Sequence, residues 1–163
     1  MNRIAKLMFN DISNGDGICV SIFIQGCPIR CPGCFNKQTW DFNGGNEIQD
    51  DFYSKIIKAI SKNNIQRGLN ILGGEPLCKE NVGFTKQIIF NVKQAYPNIK
   101  IYLWSGYEIE QLQERAKEEN DLKFILENIT MIVCGPFIQE KKDMRLRYAG
   151  SANQRVLHKG EDF

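Results

Sequence analysis

Four short runs of β-branched and other apolar residues, each followed by a glycine turn and separated from the next by helical periodicity, constrain this chain more than any other feature. The first run, 18–24 (Ile-Cys-Val-Ser-Ile-Phe-Ile), lies between Asn14-Gly15-Asp16-Gly17 and Gly26 and reads as a buried strand. The second, 69–72, stops at Gly73-Gly74-Glu75-Pro76; the third, 99–104, precedes Ser105-Gly106-Tyr107; the fourth, 131–133, ends before Gly135-Pro136. Between them Ile48, Phe52, Tyr53, Ile56, Ile57 and Ile60 recur every three or four residues over 47–63, the period of an amphipathic helix. A second such pattern, Ile88, Ile89, Val92 and Tyr96, ends before Pro97, and a third runs through 108–120 with Leu122, Phe124, Ile125 and Ile129 after it. Parallel neighbours cannot be joined by a tight turn, so this alternation predicts βαβ crossovers. The expected fold is α/β, four such units forming an open or partial (β/α) barrel around a parallel sheet. All four loops after the strands then lie at its carboxyl edge, where α/β folds place ligands. With 163 residues and no repeat, linker or low-complexity tract, one domain spanning 1–163 is expected.

Charge and leader signals name no partner. Lys plus Arg total 21 against 19 Asp plus Glu, a balance of +2 that offers no broad footprint for nucleic acid or an anionic membrane. The start, Met1 to Met8, lacks the apolar stretch of a signal peptide, and the apolar runs are strand-sized, so a cytoplasmic protein is expected. The single histidine, His158, close to the C-terminus and expected to be exposed, excludes any apparatus built on two imidazoles.

The chemistry is carried by cysteine. Cys27, Cys31 and Cys34 fall within eight residues of the six cysteines' chain-wide spread, while Cys19, Cys78 and Cys134 stand alone and are expected to be small buried hydrophobes. Two prolines and two glycines in Gly26-Cys27-Pro28-Ile29-Arg30-Cys31-Pro32-Gly33-Cys34 exclude a regular helix, so a loop folds three sulfurs toward one point. A structural zinc site wants four closed ligands, and paired C-x2-C knuckles are absent; a ferredoxin run would supply a fourth nearby cysteine, also absent. Three thiolates on a 4Fe-4S cluster leave one iron open to a substrate. Zinc completed by a distant Cys78 or Cys134, and incidental packing, are the alternatives.

The spacing Cys27-x3-Cys31-x2-Cys34 is the signature of radical S-adenosylmethionine enzymes, and the whole run 23–40, from Phe23 to Trp40, resembles the anaerobic ribonucleoside-triphosphate reductase-activating family. Gly73-Gly74-Glu75-Pro76, Trp104-Ser105-Gly106-Tyr107, Gly135-Pro136-Phe137 and Gly150-Ser151-Ala152-Asn153-Gln154-Arg155 are similar to that family's later motifs, in the same order. Cys134 stands where the family commonly has an aspartate, and Asp16 where it often has a proline. The resemblance implies a radical S-adenosylmethionine fold and two cofactors, a 4Fe-4S cluster held by Cys27, Cys31 and Cys34, and S-adenosyl-L-methionine. It implies an activase whose reduced cluster cleaves S-adenosylmethionine to methionine and a 5′-deoxyadenosyl radical, which takes a hydrogen atom from a glycine of the partner, the anaerobic ribonucleoside-triphosphate reductase. Reducing a sulfonium demands the low end of cluster potentials, so a flavodoxin-like electron donor is implied as well.

For S-adenosylmethionine the expected residues are Gly33, Cys34, Phe35, Gly73, Gly74 and Glu75. Glycines let backbone carbonyls approach the methionine ammonium, and the Glu75 carboxylate compensates its charge; a plain strand-ending turn is the bland reading. Gly33, Cys34 and Phe35 offer backbone and an apolar wall to adenine, with Phe35 otherwise a core aromatic. Trp104 to Tyr107 could line the same pocket, although an aromatic ending a strand is more often core; Asn153-Gln154-Arg155 reads as a solvated turn or a docking or closing element, and 141–147 as a solvated basic face, with reductase docking the alternative. The rival functions are activation of another glycyl-radical enzyme, such as a formate lyase, and a non-enzymatic cysteine-metal module.

Overall fold

The computed structural model describes residues 1–163. The predicted strand-helix alternation is present: strands β2 (Cys19–Ile24), β4 (Gly68–Gly73), β5 (Ile101–Ser105) and β6 (Met131–Cys134) lie side by side and parallel. Helix α1 (Phe52–Ile60) crosses from β2 to β4, α2 (Val82–Ala95) from β4 to β5, and the pair α3 (Ile109–Arg115) and α4 (Asn120–Asn128) from β5 to β6. Four complete βα units were expected; there are three crossovers, because the chain after β6 returns as a strand.

Three further strands lie outside the four-strand expectation. β1 (Arg3–Asp11) and β3 (Asn46–Glu47) build outward from β2, and β7 (Arg155–His158) pairs with β6, all antiparallel. The sheet therefore reads β3-β1-β2-β4-β5-β6-β7 and does not close. Glu47 and Ile48, expected at the start of a helix, belong to the β3 strand and the segment after it. The helix begins only at Phe52 and stops before Asn63 and Asn64, both in the left-handed region at φ 59°.

Each central strand divides its side chains between two faces, as a pleated strand must. Val20, Ile22, Leu69, Ile71, Ile101, Leu103 and Ile132 meet Phe52, Ile56, Ile60, Phe84, Ile88, Ile89, Leu112, Leu122 and Ile125 of the helices in one continuous core. Burying each such side chain contributes roughly 1.5–3 kcal/mol. On the opposite face Cys19, Tyr102, Met131 and Val133 pack beneath Trp104, Tyr148, Ala149 and Val156. The segment between β6 and β7 thus lies across that face, fastened where the Trp104 indole N–H donates to the Tyr148 carbonyl (2.9 Å) and where Arg147 and the Tyr148 hydroxyl meet Asp16. No helix is long and apolar enough to cross a membrane.

Candidate functional site

The parallel strands deliver their following loops to one edge. After β2 the chain enters the cysteine loop, and its ends are tied together before any ligand is considered. Gly26 N–H donates to Thr39 O (2.7 Å), Cys27 N–H donates to Trp40 O (3.2 Å), and the Gln25 amide donates to the carbonyls of Gln38 and Asp41. Inside the loop Cys34 N–H donates to Cys31 O (3.1 Å), and Asn36 N–H points at Cys34 Sγ (3.3 Å). Gly33 sits at φ 76°, a left-handed backbone that glycine adopts without strain, with the Gln139 side chain packed over it.

The turn after β4 packs directly on this loop. Gly73 is at φ 116°, and a Cβ on it would lie 2.5 Å from the Ile24 backbone nitrogen; on Gly74 a Cβ would collide with the Gly26 carbonyl. Backbone bonds from Gly74 N to Ile24 O (2.8 Å) and Glu75 N to Gly26 O (2.9 Å) use that closeness. Buried Asn81 completes the joint, its amide donating to the carbonyls of Gln25, Gly26 and Glu75. Asn81 gave no signal in the sequence, because two of its three acceptors, Gln25 and Gly26, lie far from it along the chain.

Glu75 extends the joint to the third loop. Its carboxylate is buried and accepts from Leu77 N–H (3.0 Å) and the Ser105 hydroxyl (2.8 Å) on one oxygen and from Gly106 N–H (2.7 Å) on the other. Burial outweighs these three donors and pushes its pKa up to about 7. Both oxygens are thus already engaged within the protein. At the fourth loop the Gln154 amide donates to Gly135 O (2.9 Å) and its oxygen accepts from Gly150 N–H, while Asn153 donates to Pro136 O (2.7 Å). Arg155 pairs with Glu108 and Glu110. These three residues are ties at the start of β7 rather than a solvated turn.

The four loops enclose a pocket of about 150 Å³ walled by Cys27, Cys31 and Cys34 on one side, Gly73, Gly74 and Glu75 on another, and Trp104, Ser105, Gly106, Val133, Gly135, Phe137 and Gln154 beyond. Cys27, Cys31, Cys34, Gly73, Gly74 and Glu75 are therefore brought together as the sequence expected. Gly33 and Phe35 lie outside the lining. Phe35 is half exposed and packs on Phe137 with ring centroids 5.0 Å apart, with the Lys142 ammonium 5.0 Å from its ring. Trp104, Ser105 and Gly106, for which the sequence allowed a place in the pocket but favoured the core, belong to its lining, and the strand-ending position of Ser105-Gly106 was the available signal. Two roomier hollows, about 530 and 560 Å³, open elsewhere around Tyr96 and Arg67 and around Lys58 and Arg67; neither holds a thiol.

The donor set fits an iron-sulfur cluster. All six thiols are free, and burial pushes those of Cys27 and Cys31 up, so their thiolates want a cationic partner. Cys19, Cys78 and Cys134 are fully buried and do not line the pocket, so the thiols that line it are Cys27, Cys31 and Cys34. No three metal-binding side chains converge closely enough to hold a single ion, whereas the corners of a cubane spread their thiolates further apart than a tetrahedral zinc does.

Comparison with known proteins agrees with this chemistry. The family described as a 4Fe-4S single cluster domain matches residues 13–157. The anaerobic ribonucleoside-triphosphate reductase-activating protein of Salmonella typhimurium is 35% identical over 149 residues, 91% of this chain and 93% of its own length. The protein of the same name from Escherichia coli K12 is 34% identical over the same shares, and that of Enterobacteria phage T4 is 30% identical over 90% of this chain and 87% of its own.

Proposed function

Since the chain belongs to the anaerobic ribonucleoside-triphosphate reductase-activating family and carries its 4Fe-4S single cluster domain, we propose that Cys27, Cys31 and Cys34 hold the cluster and that the pocket beside them takes S-adenosylmethionine. The protein is an activase of anaerobic ribonucleotide reductase. When bound and reduced, the cluster supplies the one electron with which S-adenosylmethionine is split into methionine and a 5′-deoxyadenosyl radical, which takes a hydrogen atom from a glycine of the reductase to give 5′-deoxyadenosine and the glycyl radical. The electron comes from an external donor of flavodoxin type.

The residues of the chain do the remaining work. Cys27, Cys31 and Cys34 would hold the cluster through three thiolates, and the pocket beside them would receive the amino and carboxylate groups of S-adenosylmethionine. Gly73 and Gly74 expose backbone at the pocket wall with no side chain in the way. Glu75, when ionised, adds negative potential for the methionine ammonium; it fixes the Ser105-Gly106 turn through two bonds and its own turn through a third, from Leu77 N–H. Trp104, Val133 and Phe137 give the opposite wall an apolar lining that limits water. The open sheet, with its central strands ordered as in a partial barrel, supports the radical S-adenosylmethionine fold reading. A pocket this small leaves much of a bound nucleoside uncovered, so the docked reductase completes the enclosure.

The observation that carries the reading is the convergence of exactly three pocket-lining thiols on the Gly73-Gly74-Glu75 turn. Its test is to replace each of the six cysteines by alanine and count iron after anaerobic reconstitution, with product chromatography under strong reductant. Loss of most iron is expected for Cys27→Ala, Cys31→Ala and Cys34→Ala, with near-normal loading for the other three, and wild-type protein yields 5′-deoxyadenosine. Comparable iron loss in Cys78→Ala or Cys134→Ala would establish a fourth protein ligand and remove the open iron.

A further inference from the structure

Arg67 is a cation buried without an anion. It is 4% exposed, stands directly before β4 and enters none of the molecule's salt bridges. Its Nη1 donates to the carbonyls of Ala59 (3.0 Å), Lys62 (2.9 Å) and Ile65 (3.1 Å), which closes the end of α1, and its Nε donates to Asn10 Oδ1 (2.9 Å). These acceptors satisfy donors without cancelling the charge, and a buried guanidinium with no counter-ion is costly. Nη2 has no protein acceptor, yet it is not sealed: the sealed side-chain atoms without a partner are Gln25 Oε1, Trp40 Nε1 and Asn70 Oδ1.

The planar guanidinium fork carries Nη2 on the same edge as Nε, hence on the side of Asn10. Asn10 lines the hollow of about 560 Å³, together with Phe9, Lys55, Lys58, Lys62 and Arg67 itself, and no acid lines it. The hollow of about 530 Å³ that Arg67 also borders contains Asp16 and none of these lysines. Lys55 and Lys58 stand on α1 and Lys62 just past its end. Lys55 is paired with Asp51 (3.0 Å), whereas Lys58 and Lys62, both exposed, have no carboxylate partner. Phe9, 40% exposed, adds an aromatic ring to the same hollow.

We propose that this hollow is a polyphosphate site, with Arg67 Nη2, Lys58 and Lys62 on phosphate oxygens, and that Phe9 suits it to a nucleoside triphosphate through contact with the base. Phosphate oxygens are charged acceptors, the partner that an unpaired guanidinium edge and two unpaired ammonium groups share. The hollow has the size of a small-molecule site, and its concavity with a buried arginine in the wall favours a compact polyanion over the flat acidic surface of another protein. It lies at the opposite edge of the sheet from the cysteine pocket. Phe9 and Asn10 precede Asp11, which pairs with Cys19 at the start of β2, and Arg67 precedes β4, whereas the cysteines and Gly73-Gly74-Glu75 follow those strands. A nucleotide held there does not reach the cysteines, and the site stands independently of what they bind.

The test is calorimetric titration of the reconstituted, oxidised full chain with ATP, inorganic triphosphate and adenosine, in excess S-adenosylmethionine so that the cysteine pocket does not compete for adenine. One ATP or one triphosphate per chain is expected, each displacing the other and each weakened by salt, with no binding of adenosine. The double variant Lys58→Gln, Lys62→Gln alters only exposed side chains, so it should fold and load iron normally and bind both anions about tenfold or more weakly. Phe9→Ala should weaken ATP and leave triphosphate unchanged; ATP no tighter than triphosphate in wild type, with Phe9→Ala without effect, would assign the site to inorganic polyphosphate and remove the nucleoside. Absence of saturable binding by either anion would overturn the proposal, as would binding that the lysine variant leaves intact, which would place the anion elsewhere. A lysine variant that loses affinity for the reductase, in a chain that binds neither anion, would give this face to an acidic protein partner and overturn it as well.

Discussion

Glu75 joins loops that the chain keeps thirty residues apart, and its protonation is built into the stability of the site. Folding raises its pKa from 4.5 to about 7, because burial disfavours the charge more than Leu77, Ser105 and Gly106 favour it. A group whose folded pKa is raised contributes stability that is fully present below the unfolded value and is lost as pH rises through the folded one. Apoprotein should therefore lose stability relative to Glu75→Gln between pH 4.5 and about 8. The glutamine leaves Gly106 N–H facing an amide, a roughly constant cost of about 1–3 kcal/mol, so the gap between the two proteins narrows as pH rises. Thermal unfolding across that window checks this; a pH-independent gap would mean that Glu75 stays ionised throughout. At this scale the sequence disclosed the thiol loop and the Gly-Gly turn that meet at the pocket, because thiol spacing and Gly-Gly are local signals. It did not disclose the ties that Glu75, Asn81 and Gln154 make, since most of their partners meet them only across loops.

Among the elements, the two glycines flanking this joint separate backbone necessity from tolerance. Gly83 lies in the first turn of α2, and a Cβ there would meet only an Asp121 side-chain oxygen at 3.7 Å. Gly83→Ala should stabilise by roughly 0.5 kcal/mol through lower chain entropy in the unfolded state. Gly74→Ala should destabilise by about 1–3 kcal/mol, because its Cβ meets the Gly26 backbone at the root of the cysteine loop, and should lower iron uptake as well. Denaturant midpoints with an iron count read both; a neutral Gly74→Ala would show that the two loops can part at no cost. The central elements were legible because strands buried on both faces form unbroken apolar runs and their helices show a clean 3.6-residue period. The outer strands were not. β1 is half-buried along its length with bulges in its pairing, β3 has two residues, and β7 carries Arg155 and His158, so none shows the alternation by which an isolated strand is recognised.

Across the whole molecule, an open sheet with seven strands places every chemically marked loop at one edge and leaves that edge without a cover. The helices occupy one face, the segment leading to β7 closes part of the other, and the pocket lies among the loops at that edge. With the docked radical acceptor proposed as its cover, cleavage without the acceptor should be slow and the free cluster sensitive to oxygen. The acceptor's identity tests the account most directly. Reduced, reconstituted protein with S-adenosylmethionine is mixed anaerobically with anaerobic ribonucleotide reductase and, separately, with a formate lyase, and the glycyl-radical doublet is recorded by electron paramagnetic resonance. A doublet on the reductase and little or none on the lyase is predicted; a doublet on the lyase and none on the reductase would contradict the account.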